Sequence, residues 1–233
     1  MIKRQIPNLI TLCNLACGVL SVFAALVWGY TTQAALLICL GILFDFFDGL
    51  SARLLGVASP MGKELDSLAD VVTSGVAPAA ILFGLCYYSL EHLGLLWLSL
   101  LFLLIPLFAA YRLAKFNLDT RQSHSFLGLP VPSQALVWVG LALSQWSVVN
   151  GQWPVMAIIA LSLVLDVLMV SELPLFSLKF NFKDLSWKTN SVQYLFLIGC
   201  AIIIALLRDW IALSAIILWY ILFSIITRRR HAQ

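Results

Sequence analysis

Four aspartates stand close together in a chain with few other charges, and their spacing could support metal-dependent chemistry. Asp45 and Asp48 are three residues apart, and Asp66 and Asp70 are four apart, so each pair falls on one face of a helix. Such carboxylates repel one another unless cations lie between them, and two divalent ions would neutralise them. All-oxygen ligands favour Mg2+ or Mn2+ over zinc or copper. Because Mg2+ commonly links carboxylates to substrate phosphates, the pattern predicts a phosphate-bearing substrate.

The composition indicates that these acids belong to a membrane protein. Of 233 residues, 62% are hydrophobic and 11% are charged, and the mean hydropathy is +0.99, which is too apolar for a soluble domain. The apolar runs are continuous and lack the alternation of a membrane β-barrel. We therefore expect an all-α polytopic membrane helical bundle of about eight transmembrane helices, forming one domain over residues 1–233. The predicted spans are 7–29, 32–55, 65–89, 93–116, 130–149, 154–171, 191–207 and 209–227.

The basic residues predict the orientation of the bundle. With the N-terminus in the cytosol, every lysine and arginine except Arg208 falls on the cytosolic side, as the positive-inside rule requires. An even number of spans places both termini in the cytosol. A short turn containing Gly56, Pro60 and Gly62 should bring the two acidic helices together on that side. We expect an integral multi-pass membrane protein with a cytosolic active site, in contact with membrane lipids and without a nucleic-acid partner.

Small and basic residues accompany the first two acids. Gly49 and Ala52 share their helix face and leave room for a ligand to approach the backbone. Arg53 adds a planar guanidinium suited to phosphate. Alternatively, the small residues only let helices pack, and Arg53 is an ordinary positive-inside anchor.

The complete pattern resembles a known family signature. The string D-x2-D-G-x2-A-R-x8-G-x3-D-x3-D resembles that of the CDP-alcohol phosphotransferases, and it is met here by Asp45, Asp48, Gly49, Ala52, Arg53, Gly62, Asp66 and Asp70. The resemblance implies a membrane enzyme that transfers a phosphatidyl or related group from a CDP-linked lipid to an alcohol and releases CMP. It implies two divalent cations held by the four acids, with Asp70 also acting as general base.

The same resemblance implies a CDP-lipid site lined by the small and basic residues of the signature, Gly49, Ala52, Arg53 and Gly62. The start of the first helix would contribute Asn8 and Thr11. Asn8 could instead cap that helix. Ser59, in the turn, is a further candidate for a nucleotide contact.

Three longer segments suggest which alcohol is the acceptor. IPNLITLCNLACG, KELDSLADVVTSGVAPA, and RLAKFN followed by FLGLPVPSQA resemble the phosphatidylserine synthase branch of the family. This resemblance implies CDP-diacylglycerol and L-serine as substrates and allows a homodimer. Arg112, Lys115 and Asn117 are candidates for binding the serine carboxylate, although the two basic residues could also be membrane anchors. The branch has arginine more often at the position of Lys115.

Two alternatives remain at this point. The same chemistry could act on glycerol 3-phosphate or inositol phosphate, although these acceptors should need a larger basic cluster than Arg112, Lys115 and Arg121 provide. A cation transporter would also use membrane acids, but it predicts acids near the midplane in interrupted helices. Asp166, in the sixth apolar run, stands outside any motif, and an ionised acid there would be costly.

Overall fold

The computed structural model describes residues 2–119, 126–144, 155–175 and 187–231. These residues form eight helices, which confirms the predicted number and the all-α class. The helices are α1 (Ile2–Leu26), α2 (Thr31–Leu54), α3 (Pro60–His92), α4 (Leu96–Leu118), α5 (Val131–Leu143), α6 (Val155–Val170), α7 (Trp187–Leu207) and α8 (Ile211–His231). Arg121 and residues 176–186 lie outside the described residues.

Length and composition make this a polytopic membrane bundle. In the described residues, five helices are long and apolar enough to cross a membrane, namely Gln5–Leu26, Thr31–Leu54, Pro60–His92, Leu96–Leu118 and Asn190–Leu207. Val131–Leu143, Val155–Val170 and Ile211–Thr227 are apolar but shorter. At 1.5 Å per residue, α5 alone spans about 20 Å, less than the hydrocarbon thickness of about 30 Å.

Helix α5 lies inside the bundle and packs against α2, α3, α4, α6 and α8. Its face with Ala135 and Val139 joins a core built from α1, α2 and α3. An adjoining side, with the fully buried Trp138, joins a second core built mainly from α3, α4 and α6. One antiparallel pair of short strands, β1 (Phe126–Leu127) and β2 (Pro174–Leu175), ties the chain before α5 to the chain after α6.

Two of the predicted boundaries near the acids are wrong. Helix α3 begins at Pro60 rather than at residue 65, so Pro60 and Gly62 lie in its first turn and not in the connecting turn. Ser59 is the N-cap, and its Oγ accepts a hydrogen bond from Gly62 N at 3.0 Å. The first turn of α3 is polar, so an apolar run does not mark where the helix begins. Serine followed by proline is nevertheless a typical helix beginning.

Helix α1 begins at Ile2 instead of residue 7, so Asn8 lies inside the helix and is not its cap. The Asn8 side chain donates to Gln5 Oε1 at 3.3 Å, within the same helix. The alternative of simple capping by Asn8 is therefore wrong.

Helix α3 also contains an irregular segment directly after Asp70. Residues Val71–Val76 form a π-helix, in which each turn holds an extra residue. The segment also packs closely against α4. A Cβ atom on Gly75 would lie 3.2 Å from both Ala109 Cβ and Pro106 Cα of α4.

Candidate active site

The helix hairpin of α2 and α3 brings three of the four predicted acids together. Asp45, Asp48 and Asp66 each offer a carboxylate oxygen, and these three oxygens lie within 4.8 Å of one another. Asp48 is buried, whereas Asp45 and Asp66 are partly exposed. The predicted approach of the two acidic faces is therefore confirmed.

The connection between the two helices explains how the acids come to face each other. Helix α2 ends in a Schellman motif, with Gly56 N bonded to Arg53 O and Val57 N bonded to Ala52 O. Gly56 has a φ of +63°, a left-handed conformation that favours glycine. With Ser59 and Pro60 then starting α3, only residues 55–59 separate the helices, and the chain reverses tightly.

The acid cluster has the properties expected of a cation site. Its donors are all carboxylate oxygens, the ligands preferred by hard divalent cations. Asp66 Oδ1 is buried and has no hydrogen-bond partner within the described part of the chain. Because a buried carboxylate oxygen without a partner is costly, the cluster fits a bound metal ion.

A cavity of about 220 Å³ opens beside the cluster. Asp48 and Asp66 line it. The structure also brings to this cavity all seven residues predicted to contact the CDP-lipid, namely Asn8, Thr11, Gly49, Ala52, Arg53, Ser59 and Gly62. A Cβ atom on Gly49 would meet nothing within 4 Å, so this position faces open space. Helices α1, α2 and α3 thus form three walls around one cavity that reaches the acids.

Two polar side chains of α1 each bind one acid. Thr11 Oγ1 lies 2.5 Å from Asp48 Oδ2 and 3.0 Å from Pro7 O, and the shorter bond to a carboxylate is the stronger one. Asn14 Nδ2 donates to Asp70 Oδ1 at 3.2 Å. The first helix therefore fixes one acid of each hairpin arm.

Asp70 is not among the three converging oxygens, but its carboxyl interacts electrostatically with Asp45 and Asp48 and, more weakly, with Arg112 of α4. Both Asp70 and Arg112 are buried, with 8% and 7% of their surface exposed, respectively. The Arg112 guanidinium also lies over the Phe116 ring, 5.4 Å from its centroid. The buried Arg112 therefore contributes positive charge to the surroundings of the carboxylate that the family resemblance makes the base.

The other two predicted acceptor residues make different contacts. Lys115 Nζ lies 3.4 Å from Glu172 Oε1, in an exposed ion pair. Asn117 Nδ2 donates to Ser67 Oγ at 2.9 Å, and Asn117 O accepts from Lys63 Nζ at 3.1 Å. Of the predicted set, only Arg112 interacts with an acid of the site.

Sequence reasoning missed several residues of the site. Lys63, Val57 and Ala58 also line the cavity. Asn14 and Thr73 form buried hydrogen bonds beside Asp70. Asn14 could have been found from its position, because it lies three residues after Thr11 on the same face of an otherwise apolar helix.

Comparison with known proteins identifies the family to which the chain belongs. Residues 4–169 match the CDP-alcohol phosphatidyltransferase family, and the chain belongs to that family. The match covers α1 to α6 and therefore every residue of the cavity.

The chain is similar to several named relatives. A CDP-diacylglycerol–serine O-phosphatidyltransferase of Helicobacter pylori (strain 26695) is 32% identical over 226 residues, which cover 94% of this chain and 89% of the relative. One of the same name from Bacillus subtilis is 37% identical over 141 residues, or 60% of this chain and 77% of the relative. An archaetidylserine synthase of Methanothermobacter thermautotrophicus is 34% identical over 133 residues, or 56% of this chain and 54% of the relative.

Proposed function

We propose that this protein transfers the phosphatidyl group of CDP-diacylglycerol to the hydroxyl of L-serine, giving phosphatidylserine and CMP. One observation carries the proposal: the Asp45, Asp48 and Asp66 oxygens converge within 4.8 Å, beside a cavity that also contains Arg53. A transferase that acts on a pyrophosphate needs such acids next to an anion-binding pocket. The names of the relatives support serine as the acceptor.

Asp45, Asp48, Asp66 and Asp70 would hold two divalent cations, Mg2+ or Mn2+. When bound, these cations would neutralise the pyrophosphate oxygens and the phosphate of the departing CMP. The chain supplies the acids from two helices joined by five residues, so the separation of the ligands is fixed by the hairpin. Thr11 holds the Asp48 carboxylate in place through its hydroxyl.

The donor lipid would place its nucleotide in the 220 Å³ cavity. Arg53 and Lys63 line this cavity and offer positive charge to phosphate oxygens. Polar side chains also line it, from Asn8, Thr11 and Ser59. The small residues Gly49, Ala52 and Gly62 leave space for the nucleotide. The acyl chains would extend sideways into the bilayer.

The reaction needs one proton transfer and one displacement at phosphorus. Asp70 would accept the proton of the serine hydroxyl while the serine oxygen attacks the phosphorus attached to diacylglycerol. A new phosphorus–oxygen bond forms to serine, and the bond from that phosphorus to the CMP oxygen breaks. CMP leaves with the electron pair, and no covalent enzyme intermediate is required.

Arg112 would bind the serine carboxylate, because its buried guanidinium interacts electrostatically with Asp70 and can form a bidentate contact with a carboxylate. Lys115 and Asn117 would shape the cytosolic entrance to the acceptor site through Glu172 and Ser67. This arrangement would bring the serine hydroxyl to the base and hold its carboxylate away from the departing nucleotide.

The site would face the cytosol, with both termini on the same side as the acids. This orientation follows from the distribution of lysine and arginine and from the even number of helices.

Single cysteines introduced at Lys63 and at Gly29 in a cysteine-free protein would report the orientation in intact cells. A membrane-impermeant maleimide should label the Gly29 position only, and labelling at Lys63 would contradict the orientation.

The activity is tested with purified protein in detergent, CDP-diacylglycerol and a divalent cation. Each candidate alcohol is added separately, and CMP release is measured. Serine should stimulate CMP release, and removal of the cations by a chelator should abolish it until Mg2+ or Mn2+ is restored. Stimulation by glycerol 3-phosphate or inositol phosphate but not by serine would overturn the acceptor assignment.

A further inference from the structure

Asn14 is a fully buried polar residue in the apolar helix α1, and its amide group is directed at the base. Its side chain has 0% exposure, and Nδ2 donates to Asp70 Oδ1 at 3.2 Å. Asn14 Oδ1 is buried without a hydrogen-bond partner in the described residues. Rotating the amide by 180° would direct that oxygen at a carboxylate, so electrostatics select the donor orientation.

The backbone of Asn14 is held by the same helix that carries Asp70. Thr73 Oγ1 donates to Asn14 O at 3.0 Å, and Thr73 has no exposed surface. Asp70 ends the first α-helical part of α3, and Thr73 lies in the π-helical segment that follows. Two hydrogen bonds in opposite directions therefore join Asn14 to α3, one from its amide and one to its carbonyl.

Two glycines make this close approach of helices possible. A Cβ atom on Gly18 would lie 2.8 Å from Thr73 Cα and 2.9 Å from Thr73 N. A Cβ atom on Gly41 of α2 would lie 2.9 Å from Asn14 Oδ1. Real Cβ atoms do not come so close to backbone, so any larger residue at Gly18 would push α3 away from α1.

We infer that Asn14 is a positioning residue for Asp70 and that Thr73 holds Asn14 in place; this inference rests on the proposed function, in which Asp70 is the base. The amide uses one acceptor site of the carboxylate, which leaves the others for a cation and for the proton of the acceptor hydroxyl. Proton transfer requires close, aligned geometry, and an unrestrained carboxylate would rotate out of it. The amide restrains Asp70 without adding charge to the site.

Removal of the Asn14 amide should lower the rate by the amount typical of a group that orients a reactive side chain. Groups that orient a reactive side chain commonly change activity by about 10–100-fold when removed. Asn14→Ala should therefore lower kcat by about 10–100-fold and change the KM for CDP-diacylglycerol by less than about threefold. Slower proton transfer should also enlarge the solvent deuterium isotope effect on kcat, which a loss of packing would leave unchanged.

Thr73 offers a conservative pair of variants. Thr73→Val keeps the shape but removes the hydroxyl, so kcat should fall in the same direction as for Asn14→Ala. Thr73→Ser retains the hydroxyl and should restore most of the rate. Equal losses for Val and Ser would assign Thr73 to packing alone and overturn its part of the inference.

Ser21 provides a matched control on the same face of α1. Its Oγ donates to Ala34 O of α2 at 2.8 Å, so Ser21→Ala removes a buried hydrogen bond between helices without touching an acid. Ser21→Ala should leave kcat and the isotope effect unchanged. If it lowers kcat as much as Asn14→Ala does, loosened packing explains both results and the inference is wrong.

The outcomes separate this inference from the proposed function. Wild-type protein that releases no CMP with serine contradicts the proposed function itself. Wild-type protein that turns over serine, with Asn14→Ala retaining the same kcat and isotope effect, contradicts only the positioning role. Melting temperatures of all variants in the same detergent show whether each protein is folded.

Discussion

Asp70 and Asp166 are both buried carboxylates in apolar helices, with 8% and 1% of their surface exposed, but their surroundings are opposite. Asp70 accepts a hydrogen bond from Asn14 and lies near the charge of Arg112. Neither oxygen of Asp166 has a hydrogen-bond partner in the part of the chain that the structure describes. Burial of a carboxylate is costly unless the carboxylate is paired. Asp70 therefore differs from Asp166 in its hydrogen-bond and charge partners, and not in how deeply it is buried.

The same contrast separates α1–α4 from α5. In the first region, buried polar side chains connect different helices, as Thr11 does with Asp48. In α5, both amide atoms of Gln134 and the Trp138 Nε1 are buried and lack partners among the described residues. Side-chain to side-chain hydrogen bonds between helices therefore hold two of the proposed catalytic acids, whereas the bond from Ser214 of α8 to α5 ends on the backbone oxygen of Val137.

The largest effect is expected at Asp70. Asp70→Asn removes the proposed proton acceptor while keeping the size of the side chain, so kcat should fall by about 10²–10⁴-fold. Binding of CDP-diacylglycerol, measured by equilibrium binding in detergent, should be largely retained. Turnover close to wild type would remove Asp70 from the base role.

A smaller but selective effect is expected at Arg112. Arg112→Lys keeps the charge but loses the bidentate guanidinium, so the KM for serine should rise by about tenfold or more. The KM for CDP-diacylglycerol should not change. A rise in both KM values would show that Arg112 supports the whole site and does not contact serine.

Replacement of Asp166 should improve the protein's stability, whereas the replacements of Asp70 and Arg112 should impair the reaction. Asp166→Val removes a buried carboxylate that has no hydrogen-bond partner among the described residues, so it should stabilise the protein by about 1–3 kcal/mol, or several degrees in Tm. Ser162→Ala, one turn earlier on the buried face of α6, serves as a control for altered packing. Loss of activity in Asp166→Val would show that the acid has a function and that the contrast with Asp70 is only partial.

The smallest effect is expected at Lys115, the exposed counterpart of Arg112. Its ion pair with Glu172 is exposed, and such pairs contribute about 0–1 kcal/mol. Lys115→Met should therefore raise the KM for serine by less than about threefold. A change as large as that of Arg112→Lys would place Lys115 in direct contact with the substrate.

The helical class and the meeting of the acids were predictable because they depend on local pattern. Apolar runs in a bilayer can only be helices or barrels, and the tight turn between Asp48 and Asp66 allows only antiparallel neighbours. The start of α3 was missed because a polar first turn interrupts the hydropathy signal, although Ser59 and Pro60 marked it. The contacts of Lys115 and Asn117 were not predictable, since Glu172 and Ser67 are distant in sequence.

The sequence by itself determined the eight helices, the acidic hairpin and the family signature from Asp45 to Asp70. Only the tertiary structure decided how Asp70 is held. Asn14 and Thr73 are 59 positions apart in the chain, and the hydrogen bond between them forms because Gly18 and Gly41 let α1, α2 and α3 pack closely. Spacing within a helix follows from backbone geometry, but contacts between helices depend on which side chains are small enough to allow them.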